Sequence, residues 1–283
     1  MNKWNYCFLA FIINMISLQA ADPHPYLAPN TYSYSDVPLY VRDHQPFLIV
    51  SPPKCGTFLS AKVLTLLTLR TPALYLSDFR KDHESYKKVK SELASNRFVV
   101  THEIHPEVVE RLVQKGFKVI FVIRDPRDQL ISVVNWVREG EWPWLAIAKM
   151  KNMDAQIQEA ISGIQTGWKC FESCFLVYEK NIRDLPSESV LYVHYENLVG
   201  PQGGGSLESQ LTEIAAIVDF IGLDITPQEQ QDLLPQIFGG TATFRGGQIG
   251  SWKSHFTSTH KRLYKLLYKQ ELIRLGYEEN DAW

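Results

Sequence analysis

Cysteine is scarce, with four in 283 residues, at positions 7, 55, 170 and 174. That is too few for a disulfide scaffold, and the spacing fits no metal-ligand pattern. An excess of either charge is also lacking, since 29 Lys and Arg face 31 Asp and Glu for a net charge of −2. A chain so balanced does not hold nucleic acid by bulk charge, although a local basic pocket for a small anion is compatible with it. No internal repeat or low-complexity tract occurs, and the pattern excludes collagen, coiled coil and a polytopic membrane protein. What remains is 45% hydrophobic and 21% charged residues, with 12% aromatics, the composition of a folded globular chain with a sizeable core.

The start of the chain differs from the rest. After Lys3 no charge occurs until Asp22, and residues 6–18 are largely apolar, broken by Asn14. The run is short for a spanning helix and suits the apolar region of a signal peptide, with Ala20-Ala21 as small residues for cleavage. Residues 1–21 are therefore expected to be a signal sequence, cleaved or retained as an anchor, and the protein to be exported or in the secretory pathway. The alternatives are a buried amphipathic start to the fold and a cytoplasmic protein. Residues 22–45, rich in Pro, Tyr, Asp and Ser, read as an irregular leader, and residues 46–283 as one domain.

Within that domain, short apolar runs alternate with helical spacing. Strands are expected at residues 46–51 (PFLIVS), 97–101 (RFVVT), 117–123 (FKVIFVI) and 190–194. Helices are expected at 57–69, at 106–115 with Pro at the first position and Gly116 just past the end, at 127–138 and at 155–181. An aromatic stretch runs from Trp136 to Trp144. The Gly-rich residues 200–206 read as a flexible surface loop. The alternation implies an α/β fold, a central parallel sheet flanked by helices.

Ligands of open parallel sheets sit beyond the carboxyl ends of the strands. Three segments of this chain are candidates for that place. Residues 51–57 (SPPKCGT) form a strand end, a tight turn and a helix start, where backbone N–H groups, Lys54 and the Thr57 hydroxyl suit an anionic oxygen cluster. The G-x-x-x-x-G-K-[ST] pattern is absent, and a plain Pro-Gly turn is an equal alternative for this segment alone. Residues 124–132 (RDPRDQLIS) follow the strongest strand and carry Arg124 and Ser132, a guanidinium and a hydroxyl able to meet on one phosphate. Local Arg–Asp pairing is the bland alternative. Residues 243–253 (TFRGGQIGSWK) make a basic, Gly-rich loop.

In this order and spacing, the three segments resemble the sulfotransferases that use 3′-phosphoadenosine 5′-phosphosulfate (PAPS), most closely the cytosolic type, from about residue 46 to the end. The resemblance implies a P-loop-like sulfotransferase fold. It implies that Lys54, Cys55, Gly56, Thr57 and Phe58 surround the 5′-phosphosulfate, and that Arg124 and Ser132 hold the 3′-phosphate. The loop carrying Arg245, Gly246 and Gly247 would close over the same phosphate, and Tyr195-Glu196 and residues 275–277 (LGY) match further family features. Departures are Phe58-Leu59 where the family often has Thr-Trp, Gly246 where it has Lys, and Val100 before Thr101-His102.

The activity implied is transfer of a sulfuryl group from PAPS to a hydroxyl or amine of a small-molecule or glycan acceptor, with no metal. His102 is the expected general base, with His105 as rival or as a helix cap, and Lys54 the electrostatic catalyst. A nucleophilic Cys55 is a minor alternative. Trp136, Trp142 and Trp144 are candidates for the acceptor pocket or for a lid. Two rival functions stand beside this one: a P-loop small-molecule kinase, with Asp125 as the magnesium-binding acid, and a non-catalytic nucleotide-binding protein on the same fold. Nucleic acid is not an expected partner, and a membrane is one only through an N-terminal anchor.

Overall fold

The computed structural model describes residues 44–75, 82–102, 104–143, 145–241, 244–280 and 282–283. The expected signal segment, the leader up to residue 43, Trp144 and Thr243 lie outside the described residues.

Five strands form one parallel sheet in the order β2-β3-β1-β4-β5. They are β1 (Phe47–Val50), β2 (Thr71–Tyr75), β3 (Arg97–Thr101), β4 (Lys118–Ile123) and β5 (Val190–His194). The central strands are apolar because both of their faces are covered, as parallel sheets require. Successive side chains alternate between two cores. Leu48, Val50, Val119, Phe121 and Ile123 enter one core, while Phe47, Ile49, Ile120 and Val122 enter the other. Each such side chain, fully buried, contributes about 1.5–3 kcal/mol.

The second core is closed by α1 (Thr57–Thr68) and α6 (Leu207–Ile221). The first is closed by α3 (Pro106–Val113), α4 (Pro126–Arg138), α5 (Met153–Ser162) and α8 (Ser258–Arg274). The remaining longer helices are α2 (Asp82–Ala94) and α7 (Pro227–Leu233). Every residue of α1 is buried, including Lys62, whose Nζ donates to the Gly239 carbonyl at 3.0 Å.

Two expectations need correction. The single helix over residues 155–181 is two: α5 stops at Gly163 in the left-handed conformation, and a second helical stretch runs through Cys174 to Glu179. The break is stabilised by Glu159, which accepts from the backbone of Gln165 and Thr166 and from the Thr166 hydroxyl. The Gly-rich residues 200–206 are a packed turn. Ile249 N–H donates to the Gly203 carbonyl at 2.9 Å, and a Cβ on buried Gly203 would come within 2.7 Å of the Gly247 carbonyl oxygen. The glycines there permit close approach of two backbones.

Candidate active site

The ends of four adjacent strands deliver the site. His102 follows β3, Ser51 to Lys54 follow β1, Arg124 follows β4 and Tyr195 follows β5. Neighbouring strands lie about 4.8 Å apart, so residues far apart in the chain meet along one sheet edge.

The turn after β1 has two residues in left-handed backbone, Lys54 at φ 66° and Gly56 at φ 100°. A Cβ at Gly56 would also lie 2.7 Å from Cδ2 of Tyr195, so only glycine fits. The turn leads into α1, whose N-terminus has no side-chain cap among the described residues and no acidic residue in its first turn. In α3, α4, α5, α6, α7 and α8, by contrast, a side chain accepts a hydrogen bond at the N-terminus. An uncapped helix N-terminus beside a lysine favours an anion. Thr57 donates its hydroxyl to Ser51 Oγ at 3.2 Å, and Phe58 is nearly buried in the first turn.

Arg124 reaches back over this turn. It donates to the Lys54 carbonyl and to the Gln248 carbonyl, each at 3.4 Å, and its guanidinium lies 4.3 Å from the centroid of the Tyr195 ring. Its buried Nε has no partner among the described residues. Trp136 of α4 gathers two more cations, Lys54 Nζ at 3.7 Å and Arg245 Cζ at 4.8 Å from its ring centroid. Arg245 is ion-paired with Glu139. Ser132 is half-buried on the same helical face as Gln129 and Trp136, one turn from each. Gln129 secures that face, its Nε2 donating to the carbonyls of Pro53 at 2.7 Å and Cys174 at 2.8 Å.

Burial and the neighbouring cations act together on Lys54. Burial, then the charges of Arg245 and Arg124, lower the Lys54 pKa to about 7, while Glu139 and Glu141 oppose the shift. An anion placed among the three cations would relieve this repulsion.

His102 Nδ1 lies 2.5 Å from the Ser51 carbonyl oxygen. A carbonyl only accepts, so Nδ1 carries the proton and neutral His102 presents a lone pair at Nε2. Burial lowers its pKa to about 4, with the Ser51 hydrogen bond opposing and the Lys54 charge adding. The ring is therefore neutral near pH 7. His105 instead caps α3, its Nδ1 accepting from Glu107 N–H at 3.3 Å.

Cys55 lies in the same turn. Its side chain is fully buried in the core, burial raises its pKa well above the usual thiol value, and its N–H donates to the Pro52 carbonyl at 3.1 Å. A thiol held this way is unsuited to the nucleophilic alternative, which needs a low thiol pKa. Gly246 is exposed, with Gln248 Cγ 4.0 Å from where a Cβ would lie, and Gly247, at φ 62°, packs under Phe238 and Phe244.

Asp125 has a structural job. It caps α4 through Arg127 N–H at 2.9 Å, and both carboxylate oxygens accept from the Arg127 guanidinium. Arg127 is ion-paired with Glu278 and stacks on Trp252 and Trp283 at 4.1 and 4.4 Å. A carboxylate so engaged is unsuited to the magnesium role that the kinase alternative assigns it. Sequence reasoning passed over Glu139, Gln129 and Asp128. Asp128 holds the Gly-rich loop, accepting from Gly250 N–H at 2.7 Å, Ser251 Oγ at 2.8 Å and Trp252 N–H at 2.9 Å. These contacts cross more than a hundred residues, and no local pattern announces them.

The arrangement gathers three cations beside a helix N-terminus, with a neutral imidazole on the adjacent strand end. Residues 44–276 match the sulfotransferase domain family, and the chain belongs to that family. Among similar proteins, it is 24% identical to sulfotransferase 6B1 of Danio rerio over 62% of this chain and 59% of the relative. It is also 24% identical to cytosolic sulfotransferase 12 of Arabidopsis thaliana over 58% of this chain and 52% of the relative. The matched region thus spans a little over half the length of these two relatives. A 3-alpha-hydroxysteroid sulfotransferase of Cavia porcellus is 23% identical over 81% and 84% of the two chains. The fold is similar to that of mouse sulfotransferase SULT7A1 complexed with PAP, with a TM-score of 0.59 at 20% identity, over 81% of this chain and 84% of that one.

Proposed function

We propose that the protein is a PAPS-dependent sulfotransferase acting on a hydroxyl or amine acceptor. The observation that carries this reading is the meeting of Lys54, Arg124 and Arg245 beside an uncapped helix N-terminus, with His102 held by Ser51 on the adjacent strand end. Family membership supports it, as do relatives named as sulfotransferases, one of them for a hydroxysteroid. Mouse SULT7A1 was solved with PAP bound, and a retinol dehydratase of similar fold, with a TM-score of 0.55 at 19% identity over 80% of each chain, was solved with PAP and androsterone. A small apolar acceptor is the class these relatives favour over a glycan.

PAPS, when bound, supplies the sulfuryl group and leaves as the bisphosphate. The chain's own residues do the rest. His102 Nε2 accepts the proton of the attacking hydroxyl or amine as the new bond to sulfur forms. Lys54, charged, stabilises the negative charge on the phosphate oxygen as its bond to sulfur breaks. The first-turn N–H groups of α1 and the Thr57 hydroxyl hold the 5′ group, and Arg124, Ser132 and Arg245 hold the 3′-phosphate. Tyr195 supports Arg124 from below, and Gly246 and Gly247 let the basic loop approach the nucleotide. The apolar start of the chain supports export as the location, with the cytoplasm as the alternative.

The test is incubation with labelled PAPS and a panel of phenol, steroid, amine and sugar acceptors, with and without a chelator. Sulfated product in both conditions is expected. Nucleotide binding without product would support the non-catalytic alternative, and magnesium-dependent ATP consumption the kinase.

A further inference from the structure

Arg245 is already occupied by a carboxylate of the protein. Glu139 sits at the C-terminal cap of α4, and its Oε2 accepts from Arg245 Nη2 across the cleft. An anion at a helix C-terminus opposes the helix dipole, so helix stability does not account for a glutamate there. The pair is part-exposed, with 31% of the Arg245 side chain and 52% of the Glu139 side chain accessible, so it can open without a large desolvation cost. One turn back lies Trp136, the ring against which both Arg245 and Lys54 rest. Glu139 thus faces two of the three cations that the proposed nucleotide would need, with Arg124 and the carboxylate of Glu141 as the other charges felt by Lys54.

We propose that Glu139 is an internal competitor for the nucleotide's phosphate, which sets nucleotide affinity by holding Arg245 and its loop until the phosphate displaces it. The inference rests on the reading above, that Arg245 binds a phosphate of the nucleotide. The exchange is an ion-pair swap with no covalent step: Arg245 leaves the Glu139 carboxylate and takes the phosphate. The same competition favours release of the bisphosphate product, a step that limits turnover in many enzymes.

Glu139→Gln keeps size and polarity and removes the charge at an exposed position, so folding should be unaffected. The experiment measures affinity and dissociation rate for adenosine 3′,5′-bisphosphate at pH 6, below the Lys54 pKa of about 7 that Glu139 helps to raise, at low and high salt, in the wild type, Glu139→Gln, Arg245→Ala and the double variant. Glu139→Gln should bind the bisphosphate about threefold to tenfold more tightly, through slower dissociation. The gain should shrink as salt rises and disappear in the Arg245→Ala background. A purely structural role for the pair predicts the opposite sign, weaker binding with a lower melting temperature. Unchanged or weaker binding in Glu139→Gln, with Arg245→Ala still weakening the wild type, would overturn the competitor while leaving the sulfotransferase reading intact. Indifference of bisphosphate affinity to Arg245→Ala would overturn both the competitor and the phosphate role of Arg245.

Discussion

At the scale of single residues, the two proposed catalytic groups are tuned in the same direction, and pH separates them. Burial lowers His102 to about 4 and Lys54 to about 7. His102 works as a base when neutral, above its pKa, and Lys54 binds an anion when protonated, below its own. For the free enzyme, kcat/KM for the sulfuryl donor should therefore be flat from about pH 4 to about pH 7 and fall on either side. Bound nucleotide brings negative charge to both groups, so both limbs should move upward in the kcat profile. Lys54→Arg should abolish the limb near pH 7, because a guanidinium stays charged throughout. A limb that persists near pH 7 in that variant would assign it to another group, Glu196 being the nearest rival, since burial raises its pKa to about 7.

At the scale of elements, α4 organises the cleft. Its N-cap is Asp125, its first turn holds Asp128, its middle Ser132, its last turn Trp136, and its C-cap is Glu139. Asp128→Ala would leave the Gly250 and Trp252 N–H groups without their acceptor, at about 1–3 kcal/mol for each group that water does not reach. Urea unfolding should show that loss, and calorimetry should show weaker bisphosphate binding, because the loop bearing Arg245 loses its anchor. Unaltered affinity would show that the loop is placed by other contacts. Elements were legible in the sequence in proportion to how far local pattern governed them. The strands β1, β3, β4 and β5 were readable as continuous apolar runs. The strand β2 was not, since Pro72 weakens a strand pattern and is tolerated here because β2 is, among the described residues, an edge paired only with β3. The break at Gly163 was equally hidden, because one glycine within a helical pattern is ambiguous until Glu159 is seen to cap the turn.

At the scale of the whole molecule, parallel strand order places four chain-distant loops at one edge, and those loops carry different parts of the proposed chemistry. Place after a strand is why His102 and Arg124, and Lys54 in the turn beyond β1, could be picked from the sequence, with Tyr195 added by the family resemblance. Glu139, Gln129 and Asp128 could not, since their partners are set by how α4 crosses the sheet edge. The central claim is that one cleft divides its work, with Arg124 holding the nucleotide at a distance from the proton transfer that His102 performs. It is tested most directly by measuring bisphosphate affinity by calorimetry, and turnover with a single acceptor, in Arg124→Ala, His102→Ala and His105→Ala. Loss of one partner of a buried charge contact costs about 3–5 kcal/mol, or roughly 10²–10³-fold in affinity, somewhat less where water enters. Arg124→Ala should show that loss of affinity. His102→Ala should bind the bisphosphate nearly normally and turn over about 10²–10⁴-fold more slowly, while His105→Ala, a helix-cap change, should do much less. Normal bisphosphate affinity in Arg124→Ala, or normal turnover in His102→Ala, would contradict the account.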